Sequence, residues 1–282
     1  MTAGGAPAPA AAEAASVRAR FDLAESDALW GASWAVLCGV AASLPLSLGI
    51  GSVTAAIAAW FLAVPLLAAL AAPAPTHGRG TGWLRHSDVV AAALCLTLAA
   101  LLGAGAFALA LVGVAMAAAR RLASLPPAID GLARSALMIA LPLLIGWVAL
   151  DGPVSQAPWV GVAEGVGFVA RAWLAANWAV PAVALSFTLV HHAATSTTGE
   201  PDGARGFGSL EVSLGYALAV ASLAVAGRSL SAGAVAILFA VQWPFQARLR
   251  RGSVEWYFQS TQLLSMLAML GASIGAGGGG PA

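Results

Sequence analysis

Lysine is absent from this chain: all 13 basic residues are arginine. Charge of either sign is scarce. Charged residues make up 9% of the 282 positions, against about 25% in an average soluble domain. With so little charge a soluble domain could not cover its surface with polar groups, so the soluble-enzyme class is excluded. Disorder is excluded too, because it needs low hydrophobicity and high charge, whereas hydrophobic residues here reach 60% and the mean hydropathy is +0.86. A net charge of +1 supplies no basic field for nucleic acid. There are two cysteines, Cys38 and Cys95, both inside apolar runs and without a partner at ligand spacing. That removes a disulfide framework and a zinc ribbon, and both read as small buried side chains. The remaining class is a polytopic membrane protein.

What is present is a succession of long apolar runs. Residues 1–27 read as an Ala/Pro/Gly-rich tail followed by a short amphipathic helix at the membrane surface, and residues 276–282 as a Gly-rich tail. The transmembrane domain between them covers 28–275. A spanning helix needs roughly 20 apolar residues. Spans are expected at about 28–49, 52–72, 130–150, 173–191, 210–226, 230–245 and 254–275. The run 88–119 is too long for one helix and divides into two at Gly103-Ala104-Gly105; a short helix at 159–171 leads into the sixth span. The expected fold is thus an all-α bundle of nine transmembrane helices. Helices are required because an open sheet cannot satisfy its backbone in lipid.

Arginine asymmetry orients such a bundle. With the N-terminus cytoplasmic and the C-terminus opposite, ten of the 13 arginines fall on inner segments: Arg18, Arg20, Arg79, Arg85, Arg120, Arg121, Arg205, Arg248, Arg250 and Arg251. Both polar loops, 73–87 and 192–209, then face inward.

A charge at membrane depth marks a functional-site candidate. Asp130 and Arg134 share one face at the start of the fifth span, as an interfacial ion pair or helix cap. Glu164 and Arg171 share a face of the 159–171 helix. The most patterned stretch is Thr195 to Gly215, with Glu200, Asp202 and Arg205 on a Gly-rich loop and Glu211 just inside the next helix. Carboxylates on such a loop suit Mg²⁺, which takes oxygen ligands and activates a diphosphate leaving group. An ordinary Gly/Pro/Asp turn fits the same residues.

The spacing Asp202, Gly206, Ser209, Leu210, Gly215 resembles the second conserved motif of the UbiA superfamily of intramembrane prenyltransferases. Ile145-Gly146-Trp147 resembles the Gly-Trp of that family's fifth helix, and Arg120-Arg121 the basic pair before it. The family's nine helices and inner N-terminus also agree. The resemblance covers residues 18 to 275, but only 198–215 is specific. It implies transfer of an isoprenoid from its diphosphate to a lipophilic acceptor, with Mg²⁺ as cofactor. Asp202 is the catalytic residue carried over, with Glu200 beside it as a metal ligand and Arg79, Arg85 and Arg205 for the diphosphate. The chain departs from the pattern in two places. The family's first Asp-rich motif is missing, since Leu66 to Arg79 contains no Asn, Asp or Glu, and the Asp expected four before Asp202 is Thr198. The alternative is therefore a catalytically degenerate member that binds an isoprenoid lipid or scaffolds another membrane enzyme. A transporter would predict midplane charge pairs or internal repeats, and neither is evident.

Arg79, Arg85 and His77 also read as plain positive-inside signal. The adjacent His191 and His192 point about 100° apart on a helix and read as interfacial histidines rather than as joint ligands of one ion. Gln242, Gln246, Gln259 and Gln262 read as interhelical hydrogen-bonding groups.

Overall fold

The computed structural model describes residues 31–43, 50–67, 70, 86–122, 125–150, 178–196, 205–248 and 254–277. The described residues hold nine helices and no strand. Helix α1 is Gly31–Ala42. Helix α2 is Ile50–Phe61 and runs on through a π-helical turn at Leu62–Leu67. There follow α3 at His86–Leu102, α4 at Ala104–Leu122, α5 at Pro127–Leu150, α6 at Ala179–Ser196, α7 at Arg205–Val225, α8 at Ser229–Arg248 and α9 at Val254–Gly277. Two of them, α4 and α5, are long and apolar enough to cross a membrane by length and composition.

The division of the 88–119 run falls where the glycines place it. Gly103 has φ 118°, a backbone state that a side chain makes costly. Its N–H still donates to Ala99 O at 3.2 Å, and its own carbonyl accepts from Phe107 at 3.0 Å, so one residue turns α3 into α4. At 1.5 Å per residue the two arms are about 25 and 28 Å long. Gly227 ends α7 in the same currency, with φ 76°. Arg228 N–H donates to Leu223 O at 2.8 Å and Gly227 N–H to Ala224 O at 3.0 Å. This double closure is the Schellman motif, which wants a glycine at its left-handed position.

Both π-helical turns trace to proline. Pro65 lies inside the first, and Pro142 follows the second, Ala136–Ala140, within α5. A helical proline withholds one N–H and its ring strikes the carbonyl four residues earlier. For Pro142 that carbonyl belongs to Met138, inside the widened turn. A π turn relieves the clash without ending the helix.

Contacts between the helices fix their relative directions. Asp88 at the start of α3 meets Arg121 at the end of α4, so these two form an antiparallel hairpin. Arg120 meets Asp130 across the α4–α5 turn. Residues 131 and 135 of α5 meet His192 and His191 at the end of α6. Helix α8 opposes α9 through Gln242–Ser265 and Ser231–Gly275. Pairs an even number of helices apart are parallel: Trp34 Nε1 donates to Met266 O at 2.9 Å and Ser43 Oγ to Trp147 O at 3.1 Å, joining α1 to α9 and to α5. Tyr216 and Leu223 of α7 likewise meet Ser265 and Gly275 of α9. In these contacts directions alternate along the chain.

Helix α5 is the centre. Every residue from Leu137 to Ala149 is buried. Helix α1 packs on it so closely that a methyl at Gly39 would fall on the Leu143 carbonyl and one at Gly146 on the Val36 carbonyl. Small residues are what allow such an approach. Cys38 and Cys95 are fully buried free thiols, as their runs suggested. The outward faces are apolar as well: Leu37, Ile57, Val112, Leu185, Ile237 and Leu267 are all exposed.

Candidate functional site at the polar end of the bundle

The alternation gathers the charged residues. Among the described residues every Asp, Glu and Arg except Arg228 lies at one end, on the opening turns of α3, α5, α7 and α9 or the closing turns of α4 and α8. The other end turns on Gly103 and Gly227 beside exposed Leu101, Val225 and Leu230.

The best-defined part of the polar end is built by α3 to α6. Arg120 and Arg121 are neighbours on α4, so their side chains diverge and reach different helices. Arg121 Nη1 donates to Asp88 Oδ2 on α3. Arg120 donates from Nε to Asp130 Oδ1 at 2.8 Å and from Nη2 to Asp130 Oδ2 at 3.2 Å. That is a two-pronged pair of the kind a guanidinium makes best. The two pairs differ in burial. In the Arg121–Asp88 pair the side chains are 16% and 11% exposed. In the other, Arg120 is 7% exposed but Asp130 is 41% exposed.

Asp130 was expected to pair with Arg134 or to cap its helix. Instead its partner is Arg120, and α5 opens on Pro126 with no side-chain cap. The carboxylate still sits in the first turn, where the helix dipole favours it. Sequence spacing sees neighbours on one helix; here the neighbouring helix supplied the guanidinium.

Behind Asp130, the ring of His192 lies against the bare Cα of Gly131; a methyl there would come within 2.7 Å of Cε1. His192 Nδ1 is buried without a hydrogen-bond partner among the described residues. Ser135 Oγ and His191 Nδ1 share a hydrogen bond of 3.0 Å. Arg134 lies within electrostatic reach of His191. The two histidines thus take different partners on α5, in keeping with their expected divergence. Among the described residues no group of three His, Cys, Asp or Glu side chains gathers to hold a metal.

Of the residues singled out in the sequence, Arg205 is the first residue of α7, and its side chain is outside the described residues. Arg79, Arg85, Glu200 and Asp202 also lie outside the described residues, as does His77. Helix α7 begins at Arg205 rather than near 210, so Glu211 stands almost two turns in and is half-buried. Gly206, Gly208 and Ser209 are poor helix formers, which hid that first turn from a reading based on apolar content. The sequence also gave no sign of the Ser135–His191 contact, which joins positions 56 apart.

Deeper in the bundle, Gln242 does bridge helices. Its Nε2 reaches Ser265 Oγ at 3.4 Å, and Tyr216 OH donates to the same oxygen at 3.0 Å. Tyr216 stacks on Phe239 at 4.8 Å. On the flank, a groove of about 590 Å³ lies between α2 and α3, lined by residues that include Thr54, Ile57, Phe61, Leu94, Thr97 and Leu101. The Thr97 hydroxyl is internally satisfied by Ala93 O at 2.8 Å, so it presents little polarity to the groove.

The sequence matches no protein-family model, and no curated protein or solved structure matches it either.

Proposed function

We propose that this chain is an integral membrane protein of the UbiA type. In this reading its N-terminus is cytoplasmic, and it transfers an isoprenoid from its diphosphate to a lipophilic acceptor at the polar end of the bundle. The observation that carries the reading is the pairing of strict alternation with one charged end. The loop bearing Arg79 and Arg85 precedes α3, and the loop bearing Glu200 and Asp202 precedes α7. Helices apolar on both their buried and exposed faces support residence in lipid. The apolar groove between α2 and α3 has the size and character of a site for a lipid chain.

The proposed reaction breaks the bond between the isoprenoid carbon and the diphosphate oxygen. The diphosphate leaves with the electron pair, the acceptor attacks the resulting cation, and the acceptor's proton passes to solvent. Arg79, Arg85 and Arg205 would hold the departing anion. Asp88 and Asp130 do not fit a Mg²⁺ site, because each is already paired with an arginine, and no three His, Cys, Asp or Glu side chains gather among the described residues. Any Mg²⁺ would rest on Glu200 and Asp202, and no step is routed through it. That same observation favours a second reading, a lipid-diphosphate binder that does not catalyse.

Titration of a prenyl diphosphate into the purified protein, with and without Mg²⁺, tests both. Binding that requires Mg²⁺ and disappears in Asp202→Ala supports the transferase. Mg²⁺-independent binding untouched by Asp202→Ala supports the non-catalytic binder. Absence of binding at millimolar ligand ends both.

A further inference from the structure

We propose that the turn joining α3 to α4 lies within the lipid rather than at its surface, and that its tip is a contact site for acyl chains of the leaflet opposite the polar end. The proposal rests on residence in the membrane, as read above, and not on the proposed reaction. A hydrocarbon core is about 30 Å thick. At the polar end this hairpin is held by the Asp88–Arg121 and Arg120–Asp130 pairs, and charge is costly at membrane depth. From Asp88, α3 reaches Gly103 after about 22 Å, and from Gly103, α4 reaches Arg120 after about 26 Å. An arginine lets its helix sink by snorkelling, but the short side chain of Asp88 allows little slack. Tilt only reduces the reach. The tip therefore stops about 4–8 Å short of the far interface. The hairpin of α7 and α8 is longer: Arg205 to Gly227 and Arg228 to Arg248 span about 33 and 30 Å.

The chemistry of the two turns follows their lengths. From Leu98 to Ala119 the chain carries no polar side chain. Leu101, at the tip, is 81% exposed. Water and headgroups find no side chain to bind there, whereas an acyl chain does. The backbone of the turning residue is closed inward, with Gly103 N–H donating to Ala99 O and the Gly103 carbonyl accepting from Phe107 N–H. Lipid demands such closure, because it offers backbone groups no partner. The other turn carries Arg228, Ser229 and Ser231, and an arginine suits the phosphate layer that this longer hairpin reaches.

The test is a nitroxide label at Leu101→Cys in the full chain, reconstituted into dioleoylphosphatidylcholine vesicles. The position is exposed, so the label displaces no packed group, and the native Cys38 and Cys95 are buried. Wild type carried through the labelling gives the background. Ser229→Cys, also exposed, is the companion on the other turn. At Leu101 the expected result is relaxation by oxygen, which concentrates in hydrocarbon, and loss of relaxation by a water-soluble nickel chelate. At Ser229 the chelate is expected to act. In thinner dimyristoleoylphosphatidylcholine vesicles the chelate effect at Leu101 is expected to return, because the same hairpin then reaches the interface. A chelate effect at Leu101 equal to that at Ser229 in the thicker vesicles overturns the proposal. So does a label at Leu101 shielded from both reagents, which would mean that protein, from this chain or a second copy, covers the tip. A chelate effect that ignores thickness overturns it too. Vesicle flotation separates the two readings. A chain that does not float with the vesicles ends membrane residence and this proposal together; a chain that floats with Leu101 in water ends the proposal alone.

Discussion

The contact between α1 and α5 invites one substitution made at two places. At Gly146 an added methyl would sit 2.5 Å from the Val36 carbonyl oxygen and 3.2 Å from its carbon. These are backbone atoms of a neighbouring helix and cannot rotate away. To reach ordinary contact, α1 must retreat by roughly an ångström, and a gap of that size forfeits a quarter to a half of each dispersion contact along the seam. The same retreat stretches the Ser43–Trp147 hydrogen bond of 3.1 Å. Overpacking of this kind costs about 1–3 kcal/mol. At Gly233, in the first half of α8, an added methyl meets nothing within 4 Å. There only the gain in helix propensity remains, about 0.8–1 kcal/mol. Gly146→Ala is therefore expected to destabilise and Gly233→Ala to stabilise. Thermal unfolding in detergent, followed by tryptophan fluorescence, reads both. For a chain of this size each kcal/mol moves the midpoint by roughly 2–4 °C. The expected result is a drop of several degrees for the first variant and a rise of a few degrees for the second. If Gly146→Ala melts at or above wild type, α1 does not lie against α5 in the way described.

Two further expectations concern helix ends. Asp88→Asn leaves the Arg121 guanidinium in a nearly buried place without its counter-charge, a change that costs about 3–5 kcal/mol when a buried pair is broken on one side. The double variant Asp88→Asn/Arg121→Gln should recover more than half of that loss in the same melting assay; a double variant as unstable as the single one would contradict a paired role. Gly227→Ala should cost about 1–2 kcal/mol from left-handed strain alone, because its surroundings are open within 4 Å. A melting temperature equal to wild type would show that the Schellman closure of α7 is not as described.

Much of the helix order was legible from two local signals. Length of apolar run gave the helices, and Gly103 divided the one run that was too long, because a positive φ is open only to glycine at low cost. Gln242 was also read for what it does, since a buried amide between apolar helices needs a partner across the gap. What escaped were facts that belong to pairs of helices. Nothing local says that Arg120 and Arg121, adjacent in the chain, take carboxylates from α5 and α3 respectively. Nor does local pattern reveal that Gly146 exists to admit α1. Weak helix formers at 206–209 concealed the first turn of α7 for the opposite reason: continuity with the helix that follows overrode propensity there.

The charge arithmetic of the polar end then separates two roles that the sequence had run together. On the described helices, that end carries five arginines (Arg120, Arg121, Arg134, Arg205 and Arg248) against four carboxylates, Asp88, Asp130, Glu211 and Glu255. The helices are thus nearly self-neutralising, and two of the arginines are engaged by carboxylates in pairs. The segments that join them at that end add Arg79, Arg85, Arg250 and Arg251 but only Glu200 and Asp202. Most of the positive excess therefore belongs to the connections. An anion drawn to this end is therefore expected to depend more on the arginines of the connecting segments than on those of the helices, where two of the five are already engaged by carboxylates.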